Sequence, residues 1–137
     1  MKQHNTLSDE EFEMQFSKSI LDASLFSHEA HLRLAWIHIS KYGESKAILN
    51  ITEQLKKFVH LLGVEGKYNE TLTIAAIKAV NHFMKKNEYQ SFEDFIKINQ
   101  RLRYNFKEII NTHYGFDIFN YMEAKQKYIE PDLLEFP

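Results

Sequence analysis

Apolar residues recur along this chain at intervals of three and four, the spacing that lines one face of an α-helix. The clearest run is Ile48, Ile51, Leu55, Phe58 and Leu62, with Asn50, Glu53, Lys56 and Lys57 opposite, and it predicts a helix from Ser45 to Leu62. Upstream, Ser8 with Glu11 three residues on reads as a capping box, and Leu7 and Phe12 are placed for a hydrophobic staple. Phe12, Phe16 and Ile20 would form the inner face of that first helix. Ser27 is placed to cap a second helix running to Tyr42, just before Gly43. Asn69 caps a fourth, continuing to Lys86, whose apolar residues wrap most of its circumference and make it central. Three shorter segments follow: Ser91 to Ile98, one framed by Asn105 and Glu108 to Tyr114, and one framed by Asn120 and Glu123 to Ile129. Pro131 would stop the last, and the polar stretch Asn99 to Arg103 reads as a bend.

Composition narrows the fold. The 137 residues include four glycines and two prolines, against averages of roughly 7% and 5%, too few for the turns of a many-stranded β fold. No two glycines have the spacing of a dinucleotide or phosphate loop. The absence of cysteine excludes disulfides, zinc fingers, iron–sulfur sites and thiol chemistry. A net charge of -2 and a pI near 6.4 argue against a nucleic-acid partner. No apolar leader and no run of membrane length is visible, so neither secretion nor a membrane partner is expected and the location reads as cytoplasmic. The expected architecture is all-α: a single domain over 1–137, with 1–6 disordered. Residues 7–86 form a main bundle of three or four long antiparallel helices, and 91–130 form short helices packed on it.

The seven histidines are the candidate chemistry. His60 and His82 read as solvated, His113 as a cation at a helix C-terminus, and His4 as part of a frayed end. In the second helix, a projection at about 100° per residue places Ala30, Arg33, Ser40 and Lys41 toward solvent. His28, His31, Ala35, His38 and Tyr42 fall together on the opposite, buried face. His28 and His31 are close enough to share one metal ion, whereas His38 lies about 10 Å farther along the axis than His31. His38 is therefore assigned to the core or to a separate hydrogen bond. The matching carboxylate is Glu70, which enters the fourth helix beside Tyr68. In an up-down bundle the parallel second and fourth helices would bring it toward His28 and His31.

The residues Phe26-x-His28-x-x-His31-Leu32-x-x-Ala35-Trp36, Lys67-Tyr68-x-Glu70-Thr71 and Pro131-Asp132-Leu133 resemble a widespread family of small bacterial helical proteins. The resemblance implies a compact bacterial helical domain and supplies no activity. Members often read Tyr-His-Glu-Thr where this chain has Tyr68-Asn69-Glu70-Thr71; if that histidine is a ligand in relatives, Asn69 weakens the site here.

Two functional readings follow. In the first, His28, His31, Tyr68 and Glu70 line a polar pocket that binds a small molecule or a divalent metal. His28, His31 and Glu70 would be the metal ligands, or Glu70 would orient a basic His31. In the second, the protein is a non-enzymatic interaction module, homodimeric or binding another protein, with purely structural histidines. Its surface would be the C-terminal aromatics Tyr104, Phe106, Tyr114, Phe116, Phe119, Tyr121 and Tyr128.

Overall fold

The computed structural model describes residues 3–136 and is helical throughout, with no strand among the described residues. The helices are α1 (Asp9–Ser17), α2 (His28–Tyr42), α3 (Glu44–Leu61), α4 (Glu70–Met84), α5 (Phe92–Ile98), α6 (Gln100–Tyr104), α7 (Phe106–His113) and α8 (Met122–Gln126). Among the described residues, none of these is long and apolar enough to cross a membrane. The all-α class is as expected. The grouping of helices is not: the contacts divide the chain into two compact units, one ending at Tyr68 and the other beginning at Asn69. Helix α4 therefore belongs with the short C-terminal helices rather than with α1–α3.

In the first unit, local chemistry sets the helix ends. The Ser8 hydroxyl accepts from Glu11 N while the Glu11 carboxylate accepts from Ser8 N, closing the capping box. Ser27 caps α2 by accepting from Ala30 N. A single residue, Gly43, joins α2 to α3 with a φ of 86°, a conformation costly for a side-chain-bearing residue. The two helices fold back on one another, so that His38, five residues before the glycine, meets Asn50, seven after it, at 3.4 Å. Phe16, Phe26 and Phe58 fill the space against α1, with ring centroids 4.8–5.4 Å apart.

Two expectations for the N-terminal segment fail. Ile20 is 62% exposed, because α1 stops at Ser17 and Ser19 turns into the left-handed region at φ 58°. Ile20 N then donates to Gln15 O, closing the helix end and carrying Ile20 off the inner face. The N-terminus is ordered from residue 4, where His4–Thr6 form one 3₁₀ turn with His4 buried; residues 1 and 2 lie outside the described residues.

The second unit is tied together by polar residues at the start of α4. Asn69 caps the helix by accepting from Leu72 N and donates through Nδ2 to the Ile118 carbonyl at 2.7 Å. Thr71, fully buried, donates to the Lys127 carbonyl at 2.7 Å and accepts from Ile129 N at 3.0 Å. These bonds lash the segment after α7 onto α4, around a core of Ala75, Ile110, Tyr114, Ile118 and Ala124. The Tyr114 hydroxyl donates to the Ile129 carbonyl at 2.7 Å, and burial together with Tyr128 raises its pKa, so it stays protonated. Gly115 has a distinct reason to lack a side chain: a Cβ there would stand 3.0 Å from the Asp132 carboxylate, which accepts from Gly115 N. The stretch expected to bend forms helix α6, and α8 ends at Gln126, well before Pro131.

Asn69→Ala and Thr71→Val each leave buried backbone groups without their partner, and each should destabilise the protein by about 1–3 kcal/mol. Urea unfolding measures this. A change comparable to that of an exposed substitution such as Lys97→Ala would contradict the role given to these two side chains.

Candidate functional sites

The middle of helix α2 is enclosed rather than amphipathic: every residue from Leu32 to His38 is buried. Of the four residues expected in solvent, Ser40 and Lys41 are exposed, but two are inward, with Ala30 fully buried and Arg33 7% exposed. Arg33 tolerates burial because its donors are satisfied by the carbonyls of His4 (2.7 Å) and Leu7 (2.8 Å) and by the Asp9 carboxylate (2.8 Å). The guanidinium also lies 5.0 Å from the centre of the Phe12 ring. His4 joins this cluster, its Nε2 2.8 Å from Glu29. These partners lie 24 to 29 residues away in the chain, beyond the reach of a helical projection.

The helix-2 histidines divide accordingly. His28 and His31, expected inward, are exposed; Tyr42 is exposed as well, at 41%. His31 stacks on Phe26 with centroids 3.8 Å apart, so one ring face covers the phenylalanine cluster while another part of the residue meets solvent. Desolvation, and secondarily the neighbouring His28, lower its pKa to about 4. Its exposed part moderates that effect, because water can still reach an imidazolium there. His38 is the core residue expected: it is 1% exposed, its Nδ1 faces Asn50, and its Nε2 has no partner among the described residues. Desolvation lowers its pKa; Glu13 opposes the shift and Lys41 adds to it. Glu13 is itself held by Lys41 and by the Tyr42 hydroxyl, both at 2.6 Å.

Tyr68 closes the first unit, half-buried, with the Lys56 ammonium 5.5 Å from its ring centre. Glu70 opens α4 in the second unit and is half-buried. Asn69 is engaged in its cap and in the Ile118 bond, so its amide holds the fold. Among the described residues, no three His, Asp or Glu side chains are grouped to hold a metal ion.

A cleft opens instead in the second unit, with a volume of about 630 Å³, within the range of small-molecule sites. Phe116, Tyr121 and Ile129 form its apolar walls, while Asp117, Asn120 and Glu123 supply polar groups. Phe116 and Tyr121 meet edge to face at 5.4 Å. Asp117 accepts from Asn120 Nδ2 at 2.7 Å and from Phe119 N at 3.0 Å, and these bonds, led by Asn120, lower its pKa. Lys127, 2.8 Å from Glu123, lowers that carboxyl too. Both are therefore ionised at neutral pH. The aromatic excess flagged Phe116 and Tyr121; the cleft itself was not legible, because a loop and the distant Ile129 combine to form it. Comparison with known proteins finds no match among protein-family models, curated proteins or solved structures.

The histidine burial has a consequence for pH dependence. Folded His38 resists protonation, whereas histidine in the unfolded chain takes up a proton as pH falls through about 6.5. Unfolding thus binds protons, and stability declines as pH drops from about 6.5 toward the folded pKa. His38→Gln should flatten the decline in unfolding free energy between about pH 7 and pH 5. An unchanged slope in the variant would show that His38 does not carry the effect.

Proposed function

We propose that this protein is a non-enzymatic binding module whose second unit takes a cationic ligand with an apolar body in the Phe116–Tyr121–Ile129 cleft. The observation that carries the reading is the pairing of aromatic and aliphatic walls with two ionised carboxylates, Asp117 and Glu123, in one open cleft. The walls would cover an apolar group, and the carboxylates with the aromatic faces would favour an ammonium or guanidinium. An arginine- or lysine-bearing aromatic peptide and a small aryl amine share this chemistry. The phenethylammonium ion tests it, with phenylacetate as the oppositely charged isostere. NMR titration should give saturable shifts at Phe116, Tyr121 and Ile129 with the cation and weaker ones with the anion. Glu123→Gln should weaken the cation about three- to tenfold, the scale of one charge contact in water. Equal binding of both probes, or of neither, would contradict the proposal.

The histidine pair supports a second reading. His28 and His31 lie one helical turn apart at the N-terminal end of α2, both are exposed, and His31 is held neutral. A neutral imidazole is the form that ligates metal. Under this reading the two rings would hold a divalent ion whose remaining positions are filled by water. Untagged protein titrated with Zn²⁺ should melt at higher temperature, and His31→Ala should abolish the rise. No rise in the wild-type chain, or one retained in the variant, would rule the reading out.

A further inference from the structure

We infer that the second unit also carries a binding site for a small organic phosphate, in a cleft formed by the ends of α4 and α7 with α6. This site is independent of the aromatic cleft and draws on different residues. Its volume is about 280 Å³, and His82, Lys86, Arg101 and His113 line it over an apolar floor that includes Phe83 and Ile109. Glu135 is the one carboxylate among the lining groups, and it is exposed. Four basic side chains thus converge on a concave surface of a chain whose net charge is -2.

Three features suit this concentration of basic groups to an anion. The Arg101 guanidinium has no hydrogen-bond or ion-pair partner among the described residues, so its planar fork is available for bidentate contact with phosphate oxygens. The Lys86 ammonium lies 4.8 Å from the centre of the Phe83 ring, poised over the floor. His82 feels the local field: desolvation leads in lowering its pKa, and Lys86, His113 and Lys85 add like-charge repulsion, which a bound anion would relieve.

His113 is set in place. Its Nδ1 sits 2.7 Å from the Leu134 carbonyl, an acceptor only, so that nitrogen carries the proton and Nε2 is the other functional edge. The ring stacks on Phe136 at 3.9 Å, and the His113 carbonyl accepts from Leu133 N at 3.0 Å. The basic wall is thereby fastened to the C-terminal segment before any ligand arrives. The volume exceeds that of a bare phosphate ion, and the Phe83–Ile109 floor would cover a hydrocarbon or ring attached to it.

The test uses the full chain labelled at histidine, at neutral pH and fixed ionic strength set with sodium chloride. Phenyl phosphate should shift the His82 and His113 ring resonances saturably, inorganic phosphate should bind more weakly, and phenol should have no effect. Arg101 is exposed, so Arg101→Gln should leave the thermal melt unchanged and weaken phenyl phosphate about five- to tenfold. Unsaturable shifts, an equal response to phenol, inorganic phosphate binding as tightly as phenyl phosphate, or unaltered affinity in the variant would overturn the inference.

Discussion

A buried guanidinium governs the first unit. Taking Arg33 out of water would cost several kcal/mol with its donors unpaired, so the chain around it is obliged to provide acceptors. The residues before α1 supply two carbonyls, and Asp9 in the first turn of α1 supplies a carboxylate. The same set of bonds orders His4 and fixes the approach of the N-terminal segment to α2. With the Ala30–Arg33 side held inward, the neighbouring His28 and His31 remain accessible at the end of the helix.

The second unit solves a comparable problem with neutral groups. The segment following α7 contains little regular structure, so its carbonyls and N–H groups need partners from elsewhere. Asn69 and Thr71 supply them from the first turn of α4, and Asp132 serves Gly115. Fixing this irregular chain also brings Phe116, Asp117 and Tyr121 together with Ile129. The cleft is thus a consequence of how the segment is fastened: the Asn69 and Thr71 side chains that fasten it do not line it, while Ile129, held through its backbone, does.

How far the sequence reveals this depends on the range of the interaction. As caps, Ser8, Ser27, Asn69 and Ser91 each accept from an N–H three residues on, and each caps the helix that its position predicts. The buried part of the α3 stripe, Ile51, Leu55 and Phe58, follows from periodicity alone. The face of α2 does not, because a projection treats arginine as a solvent marker and Arg33 finds its acceptors 24 to 29 residues away. Asn50, expected on a polar face, meets His38 across the hairpin. His113, whose partner Leu134 lies 21 residues on, follows the same rule. Of the candidate residues His28, His31, Tyr68 and Glu70, the first three lie in one unit and the last in the other.

The histidines thus divide between those enclosed by the fold, His4, His38 and His113, and those open to solvent, His28, His31 and His60. Reaction with diethyl pyrocarbonate at neutral pH, mapped residue by residue by mass spectrometry, reads that separation directly. His28, His31 and His60 should be modified readily in the folded chain, while His4, His38 and His113 should react many times more slowly and become equivalent to the rest in urea. Modification of His38 as fast as His28 in the folded protein would contradict the enclosed α2 on which the first unit is built.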